Sequence, residues 1–560
     1  MNARQVRSTM LALCLVVPLL VSCSTGSVAA DDRAALETLF RDAWPADQPG
    51  GAVLIKKGDE VVLRAGHGLA DVEMGVAITP DMVFRVGSVT KQFTAALIMQ
   101  LVEEGKVAID APITDYLPDY DTHDATVTVE HLLTHTSGIP SYTGLPDFFD
   151  QVRADRTPEE MVDLWEELEL EFAPGTDWRY NNSGYFLLGM IIEAVTGQSY
   201  QEALQERIFT PLGMTSSYYG EHDRIIPKRV EGYAGGSDGY VNAPYLSMTQ
   251  PYAAGSMLST VDDLAVWQQA LEAGKVVSAE SLEVMWRAHR LPDGDNTDYG
   301  YGFQIGEHAG HQIVRHGGGI NGFAAQLTTV PDQDIVVAVL TNHTGAEVSP
   351  TRLAALATAR LLGESIPTEE VEIAADKLDD YVGVYRIDEE TTRAVNQRDG
   401  KLLTLRTGNE TWSTAVAGGE DLFFYPTGTN YFTFERDAEG KVVAMLMHDF
   451  AATPERAVLT DEPVPEAAET VDVAVEAMER LVGDYQLMPE FVLSIFIEDG
   501  ALLSRGTGQD AIPLLAESEL EWIAPQVGAR LIFTPDADGA VTSVTLRQGG
   551  QEIVGPRVDQ

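Results

Sequence analysis

The chain contains a single Ser-x-x-Lys, Ser88-Val89-Thr90-Lys91. A serine hydroxyl is a poor nucleophile until an adjacent base takes its proton. Lysine serves as that base only when burial or a nearby cation lowers its pKa. Thr94 to Leu101 is an apolar, helix-forming run, so Ser88 falls at or near a helix N-terminus. Residues three apart on a helix share a face, which puts the Lys91 amine beside the Ser88 hydroxyl. Val86, Val89 and Phe93 supply apolar surroundings that suit a desolvated lysine. The helix N-terminus adds free backbone N–H groups and a positive dipole end for a developing oxyanion. On the tetrapeptide alone, a capping serine followed by a solvated lysine is the commoner reading, because the pattern is short.

The surrounding run, Val83 to Tyr116, resembles the penicillin-recognising serine hydrolases, which comprise the class C β-lactamases, the D-alanyl-D-alanine carboxypeptidases and related esterases and D-aminopeptidases. Ser-x-x-Lys is the nucleophile motif of that superfamily. The resemblance implies that Ser88 is acylated and that Lys91 is its partner. Tyr180-Asn181-Asn182 then matches the family's Tyr-x-Asn element, lying between the Pro174-Gly175 turn and an apolar run from Ser183 to Gly197. A phenol near a protonated lysine can lose its proton at neutral pH, and Tyr180 would then relay protons between Ser88 and the leaving group. The Asn182 amide would hold a substrate carbonyl. Relatives often carry Lys-Thr-Gly on an inner strand; this chain has His316-Gly317-Gly318, continuing as Gly319-Ile320-Asn321-Gly322-Phe323. Glycines let a substrate backbone approach a strand edge closely. By resemblance, the Gly319 N–H joins the Ser88 N–H as the oxyanion hole, with His316 and Gly318 among the substrate-binding positions. His316 is expected to be mostly neutral at pH 7.

These residues need a scaffold. Asp32 to Trp44 reads as a helix, and Gly51 to Ile55 and Glu60 to Ala65 as strands joined by Lys57-Gly58-Asp59. Pro158 to Leu168 reads as a helix, and the run from Ser183 as a buried helix ending at Gly197. Gln312 to Arg315, Ala325 to Val330 and Ile335 to Thr341 read as strands, and Pro350 to Leu362 as a last helix. The glycine loop within Ala253 to Trp267 is a candidate wall of the site. His131 and His135 stand four apart, a spacing that suits a metal, but no acidic third ligand accompanies them and they read as structural. No metal or organic cofactor is implied.

Beyond residue 365 the chain repeats itself. Tyr381-Val382-Gly383-Val384-Tyr385 returns as Leu481-Val482-Gly483-Asp484-Tyr485, and Gly400-Lys401-Leu402 as Gly500-Ala501-Leu502, 100 positions on. Short alternating runs between Gly-containing turns read as antiparallel strands. The expected organisation is a targeting segment over 1–30, an α/β (α+β) catalytic domain over 31–365 with an antiparallel sheet flanked by helices, a linker over 366–376, a lipocalin-like β-barrel over 377–460, a linker over 461–472 and a second barrel over 473–560. A catalytic domain with two barrels resembles the D-aminopeptidase branch, in which a barrel loop reaches the active site; inert spacers are the alternative.

With 86 acidic against 37 basic residues the net charge is −49, which excludes a basic footprint for nucleic acid. Arg4 and Arg7 precede a short apolar core, Met10 to Val21, as in a secretory signal. Leu20-Val21-Ser22-Cys23 resembles the bacterial lipobox, which implies lipidation of Cys23 and membrane contact only through that anchor; cleavage after Ala30, giving a soluble periplasmic or secreted protein, and an uncleaved anchor are the alternatives. The mature chain keeps one cysteine at most, which excludes a disulfide. The expected function is an exported serine hydrolase acting through an acyl-enzyme on small peptides or amides with D-amino acids, or on small esters. A β-lactamase or D-alanyl-D-alanine carboxypeptidase is the alternative of the same chemistry. A non-catalytic cell-wall sensor is the alternative of another class, disfavoured because Ser88, Lys91 and Tyr180 are all chemically competent.

Overall fold

The computed structural model describes residues 28–558, apart from 146–147, 149–150, 237–238, 345–348, 390, 399, 410, 427, 451–453, 466–470, 472, 489–490, 499, 507–510, 525–526, 537–538 and 549–550. Cys23 and the expected targeting segment lie outside the described residues, except for its last three positions. Among the described residues no helix is long and apolar enough to cross a membrane.

The catalytic domain is built on six antiparallel strands: β1 (Gly51–Lys57), β2 (Glu60–His67), β3 (Gln304–His308), β4 (His311–Ile320), β5 (Phe323–Val330) and β6 (Ile335–Thr341), in the order β3-β4-β5-β6-β1-β2. The first strand of the chain thus pairs with the last of this sheet, Val53 opposite Val339, and β2 forms the edge beyond it. Strand β6, Ile-Val-Val-Ala-Val-Leu-Thr, is buried throughout, because both faces of the sheet are covered. Side chains alternate across a strand. Ala52, Leu54, Val336, Ala338 and Leu340 enter the core on the face of the catalytic helices. Val53, Ile55, Val337 and Val339 enter the opposite core, closed by α1 (Ala30–Ala43) and by a helix formed from Pro350–Leu361.

The first face holds α2 (Thr90–Glu103) and α3 (Asn182–Thr196). Helix α3 starts one residue earlier than the apolar run suggests, because Asn181 caps it by accepting the Gly184 N–H. It ends at Gly197, which is left-handed at φ 70°. The helix expected over 158–168 is only Pro158–Val162, with a Thr157/Glu160 capping box, and then loosens into turns. Strand β4 runs through the glycine run to Ile320 rather than ending at Arg315, because each glycine pairs with β5, as in Gly318 opposite Ala325.

Residues 383–459 form a closed eight-stranded barrel. Residues 483–558 form nine strands in one continuous order, whose two edges, Ala511–Pro513 and Leu515–Ala516, are neighbours in the chain, so this barrel is nearly closed. The repeat seen in sequence is a repeat of structure. Short helices Ala375–Leu378 and Val475–Met478 precede the barrels. The Tyr385 hydroxyl donates to the Tyr381 carbonyl and the Tyr485 hydroxyl to the Leu481 carbonyl, each at 2.7 Å. The first barrel docks through Phe450, which joins the outer core of the sheet and lies against His308 and Arg315.

Candidate active site

Ser88 sits in a single 3-10 turn, Gly87–Val89, that leads directly into α2. Gly87 takes φ 50° there, a conformation that suits glycine. The turn lets the chain leave strand Phe84–Arg85 and present the serine at the mouth of a cleft of about 130 Å³, lined by Gly87, Ser88, Thr143, Asn182, Gly319 and Ile320 among others. Ala254 and Gly255 form part of its wall, as the glycine loop suggested. None of the described barrel residues lines it.

Lys91 lies one helical turn on and is fully buried, 0% exposed. Its Nζ is 3.2 Å from Ser88 Oγ, 2.7 Å from Asn182 Oδ1 and 2.9 Å from the Ala254 carbonyl oxygen. Three acceptors satisfy an ammonium. They equally satisfy a neutral amine that donates to Asn182 and Ala254 and accepts the Ser88 proton. Burial drives the Lys91 pKa well below its usual value, and no carboxylate is among the atoms it bonds. Val86, Val89 and Phe93, expected to desolvate it, are each 0% exposed. Burial therefore favours the neutral amine against the serine hydroxyl, which is the form a general base requires.

Tyr180 brings its ring face to Lys91, 4.8 Å from Nζ to the centroid. The expectation of an ionised phenol is corrected here. Burial pushes the Tyr180 pKa above its usual value, and the facing Ser88 hydroxyl opposes that only in part. Burial thus favours the protonated phenol, and it favours the neutral amine of Lys91 in the same direction. Asn182, the first residue of α3, receives the Lys91 ammonium or amine on Oδ1 and donates through Nδ2 to Thr143 Oγ1 at 3.0 Å. It lines the cleft but is already held on both sides.

The glycines of β4 abut the nucleophile turn. A Cβ on Gly318 would collide with the Val86 carbonyl oxygen, and one on Gly87 would come within 3.0 Å of the Gly319 nitrogen. Gly318 thus allows the strand to lie against the turn, while Gly319 faces open space and the cleft. That brings the Gly319 and Ser88 backbones to one rim, as an oxyanion pair needs.

His316 does not reach the cleft, which corrects its expected contact with substrate. It is 2% exposed. Its Nδ1 pairs with the Gly317 carbonyl at 2.6 Å and its Nε2 with the Tyr299 hydroxyl at 2.9 Å, which leaves no ring nitrogen for a ligand. Burial pulls its pKa down to about 3. It is a neutral strut behind Tyr180, whose ring centroid is 6.1 Å away. His135 packs on Tyr180 at 4.4 Å and accepts the Asn181 N–H on Nδ1, while His131 closes the cap of its own helix with Thr128. Both are structural, in separate settings. Sequence reasoning singled out the loop of Ala254 but missed its bond from Lys91, and it missed Thr143 and Tyr299. Their contacts span 163, 39 and 17 positions and leave no local signature.

The β-lactamase family model matches residues 36–361. Penicillin-binding protein 4 of Amycolatopsis lactamdurans is 33% identical over 313 residues, covering 52% of this chain and 80% of that protein. A D-aminopeptidase of Gluconobacter oxydans is 29% identical over 320 residues, but this match covers 55% of the chain and only 59% of that enzyme. The crystal structure of D-amino acid amidase from Ochrobactrum anthropi SV3, complexed with L-phenylalanine amide, superposes with a TM-score of 0.52 at 27% identity over 60% of this chain and 98% of that one. A match over more than half the chain, together with a buried lysine at a serine hydroxyl, places this protein in the β-lactamase family as a serine hydrolase.

Proposed function

We propose that the protein is an exported hydrolase that cleaves uncharged esters, or amides of D-amino acids with a free amino end, through an acyl-enzyme on Ser88. The observation that carries the acyl-enzyme is the approach of a buried lysine without a carboxylate partner to Ser88 Oγ at 3.2 Å. In this reading Ser88 Oγ attacks the substrate carbonyl carbon and its proton passes to Lys91 Nζ. The oxyanion rests on the Ser88 and Gly319 N–H groups. The carbon–nitrogen or carbon–oxygen bond then breaks, and the leaving group takes a proton through the Tyr180 hydroxyl. Water, deprotonated by the same groups, cleaves the acyl ester and returns the proton to Ser88. Asn182 orients the amine and borders the substrate.

The substrate class rests on position 316. A lysine there would bring a permanent charge to carboxylate-bearing substrates. A buried neutral histidine brings none, and a charge-assisted hydrogen bond exceeds a neutral one by roughly 1 kcal/mol. The similarity to a D-aminopeptidase and a D-amino acid amidase supports the same reading. One observation favours the carboxypeptidase or β-lactamase alternative. Arg85 and Arg229 line a second cavity of about 220 Å³ that meets the cleft at Asn321, although Glu221 and Glu231 share its wall. A turnover panel decides between them, using a nitrophenyl ester, a D-amino-acid anilide, a chromogenic cephalosporin and a D-alanyl-D-alanine peptide. Higher kcat/KM on the first two supports the proposal; higher kcat/KM on the last two overturns it. Export through Cys23 is tested by fractionation, in which wild type should follow membranes and Cys23→Ala should be soluble. A soluble wild type beginning at Asp31 would overturn lipidation.

A further inference from the structure

Away from the cleft, a cavity of about 750 Å³ separates the start of the Pro350–Leu361 helix from the first barrel. Ser349, Thr351 and Arg352 form its wall on the catalytic domain; Ser413, Thr414 and Thr429 face them from the barrel. It shares no lining residue with the Ser88 cleft. Arg352 is the only charged residue on this wall among the described residues. It is 7% exposed, and its Nη1 has no hydrogen-bond partner. Burial lowers its pKa, with no opposing carboxylate among the described residues. In a chain with 86 acidic side chains, a buried guanidinium left without one among the described residues is unexpected, because an uncompensated buried charge is strongly destabilising.

The setting around it suits an anion. The helix is 12 residues long and its positive end opens at this cavity. Ser349 Oγ already accepts the Arg352 N–H as the helix cap, whereas Arg352 Nη1 has no partner among the described residues. The other polar groups of the wall are mostly hydroxyls, which donate to an oxyanion or bond to a polyol. Thr351 Oγ1 also donates to Gln326 Oε1 at 3.0 Å, and Gln326 pairs with Gly317 on the catalytic strand.

We propose that this interdomain cavity binds a small oxyanion, a phosphate or carboxylate group on a hydroxylated molecule, with Arg352 as its counter-charge. The test is calorimetric titration of the full-length protein with inorganic phosphate, glucuronate and glucose in low-salt buffer. Phosphate or glucuronate should bind saturably and identify which oxyanion is preferred, while neutral glucose should not bind. Arg352→Gln should weaken the anion at least tenfold. Thr414→Trp, which fills the cavity from the barrel side with Arg352 intact, should do the same. In anion-free buffer Arg352→Gln should melt at or above the wild-type temperature, and saturating anion should raise the wild type alone. The proposal is overturned if neither anion saturates wild type by about 20 mM, roughly 20 times a Kd of 1 mM, or if affinity survives within twofold in Arg352→Gln. Should Arg352→Gln not fold, unchanged affinity in Thr414→Trp overturns it equally.

Discussion

Replacing His316 with glutamine removes a titratable ring from the wall behind Tyr180 while keeping an amide that can donate to Gly317 and accept from Tyr299. In the native protein His316 stays neutral until about pH 3, whereas in the unfolded chain it takes a proton near pH 6.5. The unfolded state therefore binds more protons in the window between these values, and native stability falls as pH falls. Above pH 6.5 the group costs nothing. Each pH unit below it removes about 1.4 kcal/mol, so by pH 4 this one ring should have cost roughly 3 kcal/mol. His135 and His343, also held down by burial, steepen the acid dependence of both proteins alike, so the difference between the two curves isolates position 316. The assay is urea unfolding at pH 7, 5.5 and 4, followed by tryptophan fluorescence. Trp44, Trp165, Trp178, Trp267 and Trp286 report on the catalytic domain, five of the seven tryptophans in the chain. Wild type should lose about 3 kcal/mol more than His316→Gln between pH 7 and pH 4. Parallel curves would refute the burial of a neutral imidazole at this position.

Lys91→Met should lower kcat by several orders of magnitude, because nucleophile and base act as a unit. Its stability relative to wild type should improve as pH falls from about 10.5, since the native lysine resists a proton that the unfolded lysine accepts; a pH-independent difference in urea midpoint contradicts this. Tyr180→Phe should reduce kcat by about 100-fold or more, with KM moved far less, if the phenol relays a proton; steady-state kinetics on a nitrophenyl ester reads it. Gly318→Ala should cost at least 100-fold in kcat/KM, because its methyl displaces β4 from the Val86 carbonyl, whereas Gly319→Ala, with open space around its Cβ, should keep the wild-type melting temperature.

Much of this site is legible in the chain because its key relation is local. Ser88 and Lys91 are three apart, and the apolar residues that bury the lysine are its sequence neighbours. Tyr180 and Asn182 are fixed by the turn before α3. The β4 glycines are legible as a close approach, and Gly318 makes one. The electrostatics were less legible. An ionised Tyr180 presupposes a charged lysine, but a desolvated pair pushes both groups toward neutrality. His316 looked like a substrate contact because position on a strand does not reveal depth; Tyr299, 17 residues earlier, covers it. The loosening after Val162 was also hidden, since periodicity over 158–168 does not show which turns tertiary packing retains.

The central claim is that Ser88 is the residue acylated. Intact-protein and peptide mass spectrometry after exposure to a fluorophosphonate tests it most directly. The account predicts one adduct per chain, on the peptide carrying Ser88, absent from Ser88→Ala and slowed severely in Lys91→Met. Labelling at another serine, or undiminished hydrolysis by Ser88→Ala, would contradict it.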